Sequence, residues 1–250
     1  MTASADREPG DHARLSEAQA LQFLAEGDLE VLGRIPWASN VTLLARVRRG
    51  GLDGLAVYKP ARGERPLWDF PSGTLYRREV AAFLVSQRLG WDLVPPTLAR
   101  DGPLGEGSVQ LFVEADTDLT AFELLAARDP ALPRIAAFDV VINNADRKAG
   151  HCLAVAGGRV WAIDHGVCFH VEPKLRTVLW DLAGQRLEPA LLAACAELAD
   201  DAAAGGLGAH LRELLADDEV SALAARAERL ARVGRLPGPR GGRSYPWPLI

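Results

Sequence analysis

The chain has 250 residues, 48% hydrophobic and 24% charged, with 33 acidic against 28 basic side chains for a formal charge of −5. A chain of this size buries a core without a metal or disulfide staple, which excludes global disorder. The excess of acid argues against a broad basic face for nucleic acid, no apolar run approaches 18 residues, and three scattered cysteines point to a reducing cytoplasm, with no stable membrane insertion.

Residues 1–14 are polar where a signal peptide needs a basic start and an apolar stretch, and they are expected to form a flexible tail. Ser16 followed three positions later by Gln19 is a capping box, opening a short helix through Leu21, Phe23 and Leu24 that Gly27 ends. Alternation from Val41 to Arg49, a Gly-rich turn from Gly50 to Gly54 and a second run from Leu55 to Tyr58 predict a hairpin. A helix follows from about Leu75 to Leu89, with Ser72 or Thr74 before it and Gly90 after it; Val109 to Val113 reads as another strand. Past Glu114 the composition turns helical. Thr120 and Glu123 form a second capping box, Pro133 opens a helix through Phe138 toward Ile142, and the Ala- and Leu-rich stretch from Leu187 to Val233 is helical. One hairpin interrupts it, residues 152–163, turning at Gly157-Gly158.

A two-residue loop at Gly157-Gly158 fixes a register. Leu153 then lies opposite Ala162, and at the open end His151 lies opposite Asp164, with opposed side chains about 5 Å apart. The polar run Asn143-Asn144-Ala-Asp146-Arg147-Lys148 just precedes this hairpin, so two acids and an imidazole converge on one rim. Such a set suits a divalent cation that keeps substrate phosphates as further ligands. By period two, Lys59 shares a strand face with Leu55 and Val57 and points toward a cleft; the plain alternative is a strand-end lysine reaching for water. Glu79, four residues from both Leu75 and Phe83, lies on or beside an apolar helix stripe and needs a partner, unless it pairs locally with Arg77 or Arg78. No Gly-x-x-x-x-Gly-Lys-Ser/Thr loop and no His-Glu-x-x-His occurs, which argues against P-loop NTPases and zinc proteases.

The run from Phe138 to Arg147, followed by Ala162-Ile-Asp164-His-Gly166, resembles the catalytic and metal-binding loops of the phosphatidylinositol 3-/4-kinase-like superfamily, above all type II phosphatidylinositol 4-kinases, with HipA-type kinases more distant. With Lys59-Pro60 and Leu67-Trp-Asp-Phe-Pro71, the chain also resembles, over most of its length, an uncharacterised actinobacterial kinase-like family. The resemblance implies an α+β, bilobal protein-kinase-like fold: a small β-rich N-lobe over 15–114, a helical C-lobe over 115–235 and a tail over 236–250. It further implies transfer of the γ-phosphoryl of ATP to the hydroxyl of a lipid head group, polyol or protein, with Mg²⁺ or Mn²⁺. Asp146 then serves the acceptor, Lys59 neutralises phosphate charge, Glu79 orients Lys59, and Asp164 holds metal. Ser39 and Asn40 fall in the phosphate-covering turn, and Gln110, Phe112 and Glu114 in the strand and hinge near the adenine.

One departure stands out: the family's metal-binding Asn, five after the catalytic Asp, is here His151, which favours Mn²⁺ or Zn²⁺ over Mg²⁺. It raises a rival reading, a nucleotide-binding pseudokinase. A second rival takes His151, Cys152, His165, Cys168 and His170 as a zinc site, although their spacing fits no closed tetrahedral pattern. The segment from Val167 to Trp180 corresponds to an activation loop, where Lys174 and Arg176 are candidates to meet an anionic acceptor.

Overall fold

Helix α1 (Glu17–Glu26) opens on the expected capping box: the Gln19 amide donates to Ser16 Oγ at 3.3 Å, and Gln19 Oε1 accepts from the Ser16 amide at 2.9 Å. The computed structural model describes residues 15–36, 40–241 and 243–250, so the expectations for the 1–14 tail and for Ser39 lie outside the described residues. Five antiparallel strands follow, β1 (Asp28–Arg34), β2 (Leu43–Arg49), β3 (Leu52–Pro60), β4 (Thr97–Gly102) and β5 (Gly105–Leu111), ordered β1-β2-β3-β5-β4. The β2–β3 hairpin turns at Gly50 and Gly51, with φ of 55° and 86°, a region that glycine enters without steric cost. β1 and β4 were not expected. β1 is a charged edge strand with a bulge at Val31/Gly33, and its apolar alternation rests on only Leu29 and Val31. β5 begins at Gly105 and ends at Leu111, four residues earlier and two earlier than the apolar run from Val109 to Val113 suggests, because its first half pairs with polar β4.

Phe23 and Leu24 of α1 join Leu43, Ala45, Val47, Ala56, Tyr58 and Val109 in the core of the sheet. On β3 this leaves Leu55, Val57 and Lys59 on the other, half-buried face. Helix α2 (Leu75–Leu89) has the expected limits and ends at Gly90 in the left-handed conformation. Its inner face, with Ala81, Ala82, Phe83 and Val85, belongs to the larger core, which continues through the helical half of the chain. Arg78 anchors it there: Nη2 pairs with Glu219 Oε1 at 2.7 Å, Nη1 donates to Cys168 O at 2.7 Å, and the guanidinium lies 4.8 Å from the Phe70 ring centre.

The helical half comprises α3 (Ala121–Ala126), α4 (Ala131–Ile142), α5 (Pro189–Ala204), α6 (Gly206–Arg212) and α7 (Asp217–Val233). α3 opens on the Thr120/Glu123 capping box, whereas α4 starts two residues before Pro133, with Asp129 Oδ1 accepting from the Ala131 amide at 2.8 Å. Strands β6 (Cys152–Ala154) and β7 (Val160–Ala162) form the expected hairpin in a different register. Cys152 pairs with Ala162 and Ala154 with Val160, and the Val155 amide donates to Arg159 O, so the loop holds three residues, Ala156 with Gly157 and Gly158. This register puts Cys152, Ala154, Val160 and Ala162 together in the core; a slip by one would turn half of them outward. The Ile163 amide bonds His151 O, and Asp164 lies beyond the pairing. Among the described residues, no helix is long and apolar enough to cross a membrane. The whole is an α+β fold, a β-rich part followed by a helical one, as expected.

The loop after α4 is fixed by a buried ion pair. Asn143 caps α4 at φ 55°, and four residues on, the fully buried Arg147 forks onto Asp139 of α4 through Nε–Oδ2 and Nη2–Oδ1, both 2.9 Å. Arg147 Nη1 also donates to His151 O at 3.1 Å and Ile163 O at 2.8 Å, while Nη2 meets His165 Nε2 at 2.8 Å. One guanidinium thus joins α4, the loop and both ends of the hairpin. Removing one partner strands a buried charge, so Asp139→Leu or Arg147→Met should each cost about 3–5 kcal/mol, and the double variant less than either, as read from urea denaturation midpoints. At Gly107, opposite Pro60, an added Cβ would sit 2.4 Å from Lys59 O and 2.7 Å from Pro60 Cα. Gly107→Ala should therefore cost about 2 kcal/mol in the same assay.

Candidate active site

Lys59, on the half-buried face near the end of β3, extends between the two lobes. Its Nζ donates to Glu79 Oε1 of α2 and, at 2.9 Å, to Asp164 Oδ1. Burial opposes its charge, but Asp164 and Glu79 together outweigh burial and hold the ammonium above its ordinary range. Glu79 is a buried side chain with both oxygens occupied, Oε2 accepting from the His165 amide at 3.0 Å. The acid of α2 therefore fixes both the lysine and the backbone beside Asp164.

Asp164 follows β7 with φ 62°, a conformation unusual for a residue with a Cβ, which turns its carboxylate toward the cleft. Burial works against its ionisation; the charge of Lys59 leads the opposing influences and holds the carboxyl well below the usual carboxylate range. Its second oxygen meets His151 Nε2 at 3.2 Å. The sequence-predicted partners meet here, but not as a cross-strand pair: His151 closes a short 3-10 turn (Ala149–His151), and Asp164 swings back to it from beyond the hairpin. Burial lowers the His151 pKa to about 4, against the pull of Asp164 and with help from Arg147 and Lys148, so the imidazole is neutral at pH 7. With the Lys148 amide facing Nδ1 at 3.4 Å, the proton belongs on Nε2, toward Asp164.

Asp146 stands in the loop that Arg147 anchors, its amide donating to Asn144 Oδ1 at 2.9 Å and its carboxylate 3.2 Å from Lys148 Nζ. Burial raises its pKa, partly countered by Lys148; Asp164 raises it further and Arg176 lowers it. The loop is stitched to the 174–178 segment by backbone bonds, Arg176 N to Asn144 O, Arg147 N to Arg176 O and Val178 N to Arg147 O. That segment is itself anchored by Lys174, whose Nζ reaches Asp69 Oδ2 at 2.8 Å beside the exposed Trp68 ring. The C-terminal residues pack on the same loop, Leu249 O accepting from the Ala149 amide and Ser244 O from Trp180 Nε1.

The other sequence-predicted residues are placed differently. Asn40 Oδ1 accepts from the Arg65 amide at 2.9 Å and so staples two loops. Gln110 is buried within the sheet with its amide on Thr97 Oγ1, Phe112 bonds Leu55 O through its backbone amide just past β5, and Glu114 is exposed in the connection that follows. Sequence reading gave Asp139 no role, and it named Arg147 and Asp69 only within motifs, His165 only for zinc and Lys174 only for an anionic acceptor, not for the pairs they make; the legible signal was Asp139, a lone acid within the apolar run from Phe138 to Ile142. Among the described residues, no three His, Cys, Asp or Glu side chains gather as a metal would require, which counts against the zinc arrangement. Cys152 and Cys168 are buried thiols that burial keeps protonated, Cys152 up to about 12.

Solved structures share this architecture. The Golgi casein kinase aligns with a TM-score of 0.55 at 15% identity, over 86% of this chain and 73% of that one. Hydra Fam20, solved with sugar, aligns at 0.54 and 14% over 86% and 87%, and the Helicobacter pylori proinflammatory kinase CtkA at 0.54 and 11% over 85% and 94%. These likenesses establish a kinase-like fold. No family model matches the sequence. Protein Rv2133c of Mycobacterium tuberculosis is 46% identical over 262 aligned positions, which cover 91% of this chain and 94% of that protein. An identity that high across nearly the whole of both sequences is common descent, and the chain belongs to the family of Protein Rv2133c.

Proposed function

We propose that the chain is a phosphotransferase of the phosphatidylinositol 3-/4-kinase-like type, acting in the cytoplasm and moving the γ-phosphoryl group of ATP to a hydroxyl. The observation that carries this reading is Lys59, held between Glu79 and Asp164 across the cleft of a kinase-like fold. In this reading the N-lobe runs over 15–114 and the C-lobe over 115–235, with Gln110, Phe112 and Glu114 leading to the adenine side and the turn at Ser39-Asn40 covering phosphate.

Each residue then has a defined task. Lys59 sets a fixed positive charge against the nucleotide phosphates, and Glu79 prevents it from turning away. Asp146, at the rim beside Lys148, orients the acceptor hydroxyl and takes up its proton as the new P–O bond forms. Asp164, ionised across the working pH range, and neutral His151 would hold a divalent ion, which supplies charge neutralisation at the phosphates when bound. The Asp164 carboxylate fits such an ion as it stands, whereas His151 would join it only after its proton moves from Nε2, 3.2 Å from Asp164, to Nδ1; the carboxylate and imidazole nitrogen would then suit Mn²⁺ better than Mg²⁺, with phosphate oxygens left to complete the shell. The His151–Asp164 contact also favours a second reading, a pseudokinase that binds nucleotide without turnover, because it occupies the oxygen that a metal would need.

Thermal unfolding separates these readings. ATP with Mn²⁺ should raise the melting temperature, by the equivalent of about 2.7 kcal/mol at a hundredfold excess over Kd, and Asp164→Ala should abolish that shift; no shift with any metal would overturn the proposal. Asp146→Ala should keep the shift while lowering phosphoryl transfer about 10²–10⁴-fold, and full transfer by that variant would refute the role of Asp146. A normal shift with no hydrolysis or transfer by the wild type would select the pseudokinase.

A further inference from the structure

We propose that residues 244–250 are a positioning element of the cleft, holding in place the turn from which His151 reaches Asp164; the inference rests on the phosphotransferase reading above. Ala149 opens the 3-10 turn that His151 closes, and the first residue of such a turn has no acceptor for its amide within the turn. Ala149 is fully buried, so water does not serve instead; its partner is Leu249 O, at 2.8 Å. The start of the segment is tied on the far side of the loop. Ser244 O accepts from the Thr177 amide at 3.2 Å and from Trp180 Nε1 at 2.8 Å, and Thr177 itself bridges to Arg147. Main-chain bonds thus run from the turn through residues 244–249 to the 177–180 stretch and back to the loop that carries Asp146.

The residues flanking Ala149 give these bonds their effect. Lys148 holds the Asp146 carboxylate at 3.2 Å, and His151 meets Asp164 Oδ2 at 3.2 Å. Asp164 has a left-handed φ of 62°, a conformation that persists only where its surroundings over-determine it. Lys59 holds one of its carboxylate oxygens and His151 the other, so the turn supplies one of those two restraints. The segment gains little else from its position. Within it Pro246 alone is buried; Tyr245, Trp247, Leu249 and Ile250 are exposed, and neither hydrophobic core includes any of them. A stretch held by main-chain bonds, with its apolar side chains left in water, opens locally without unfolding the rest. Its loss therefore acts on the turn and on Asp164, not on the core.

Full-length variants test this by removing donors and leaving the segment itself unchanged. Ala149→Pro deletes the amide that Leu249 O accepts; Lys148, at φ −87° and ψ 164°, already has the extended backbone needed before proline, and the first position of a helical turn accepts the ring. Trp180→Phe deletes the indole donor to Ser244 O without touching the turn. Release of the segment is read by trypsin cleavage after exposed Arg243, and loosening of the turn by hydrogen exchange of the His151 and Ile163 amides, which bond Lys148 O and His151 O. ATP affinity is read by titrating the Mn²⁺-dependent thermal shift. In Ala149→Pro, cleavage and exchange should each quicken at least about fivefold and the apparent Kd for ATP rise at least about fivefold, because a site organised in only a fraction of molecules binds in proportion to that fraction. Trp180→Phe should move all three in the same direction, and Ala149→Gly, which keeps the amide, should restore them toward wild type. A merely structural contact would lower the melting temperature without ligand and leave Kd where it was. Faster cleavage with unchanged Kd in either variant, a tighter Kd, or cleavage that neither variant accelerates would overturn the inference. The two readings fail separately. A wild type without any ATP-dependent shift, its variants still exchanging faster at His151, refutes phosphoryl transfer and leaves the restraint on the turn standing, whereas an intact shift with the same Kd in the released variants refutes only the positioning role.

Discussion

Placing a guanidinium where no water reaches it is costly unless every donor finds a partner, and the positions around the cleft follow from how Arg147 meets that requirement. It takes both oxygens of Asp139, the carbonyls of His151 and Ile163 and a ring nitrogen of His165. Those groups come from α4, from the turn before β6, from the residue before Asp164 and from the residue after it. No small shift of one of them leaves the others satisfied. The carboxylate of Asp164 and the imidazole of His151 are thus placed by the hydrogen-bond needs of a neighbour that itself faces away from solvent. His165 completes the connection, with its ring on Arg147 and its amide on Glu79.

From that node outward, the cleft is organised by alternating charge. Asp139, Arg147 and the neutral His165 lie beneath; Glu79, Lys59 and Asp164 lie above, followed by His151. The opposing charges explain why Asp164 stays ionised despite burial and why Lys59 stays protonated. Asp146 is outside this chain of charges, with its carboxyl pKa raised by burial and matched by a single lysine. The difference separates a group suited to holding a fixed charge from one suited to exchanging a proton.

Much of this was legible in the sequence, for reasons that differ by element. Capping boxes at Ser16 and Thr120 and the stop at Gly90 act within a few residues, so α1, α3 and α2 appear where local chemistry puts them. β1 and β4 were missed because edge strands rich in charged residues carry little apolar alternation; pairing with β2 and β5 makes them strands. The β6–β7 register was misjudged by one residue because two glycines fit a three-residue loop as well as a two-residue one, and burial of Cys152 and Ala154 decides between them. His151 and Asp164 still meet, through the 3-10 turn and the left-handed Asp164, neither of which has a marker in the sequence. The bonds of Asn40 to the Arg65 amide and of Gln110 to Thr97 Oγ1 had no marker in the sequence, since a polar side chain in a strand or turn has backbone and neighbours competing for it.

The anchoring of α2 has a consequence for control. A helix that carries the partner of Lys59 can serve as a switch only if it swings at little cost. Here the helix shares its apolar face with the larger core, and Arg78, one residue from Glu79, is tied to Glu219 of α7 and to Cys168 O. Swinging it out would break a buried ion pair, a penalty of about 3 kcal/mol or more, which keeps the displaced state below about one molecule in 100 at rest. The Lys59–Glu79 contact is therefore standing equipment, present before any ligand arrives.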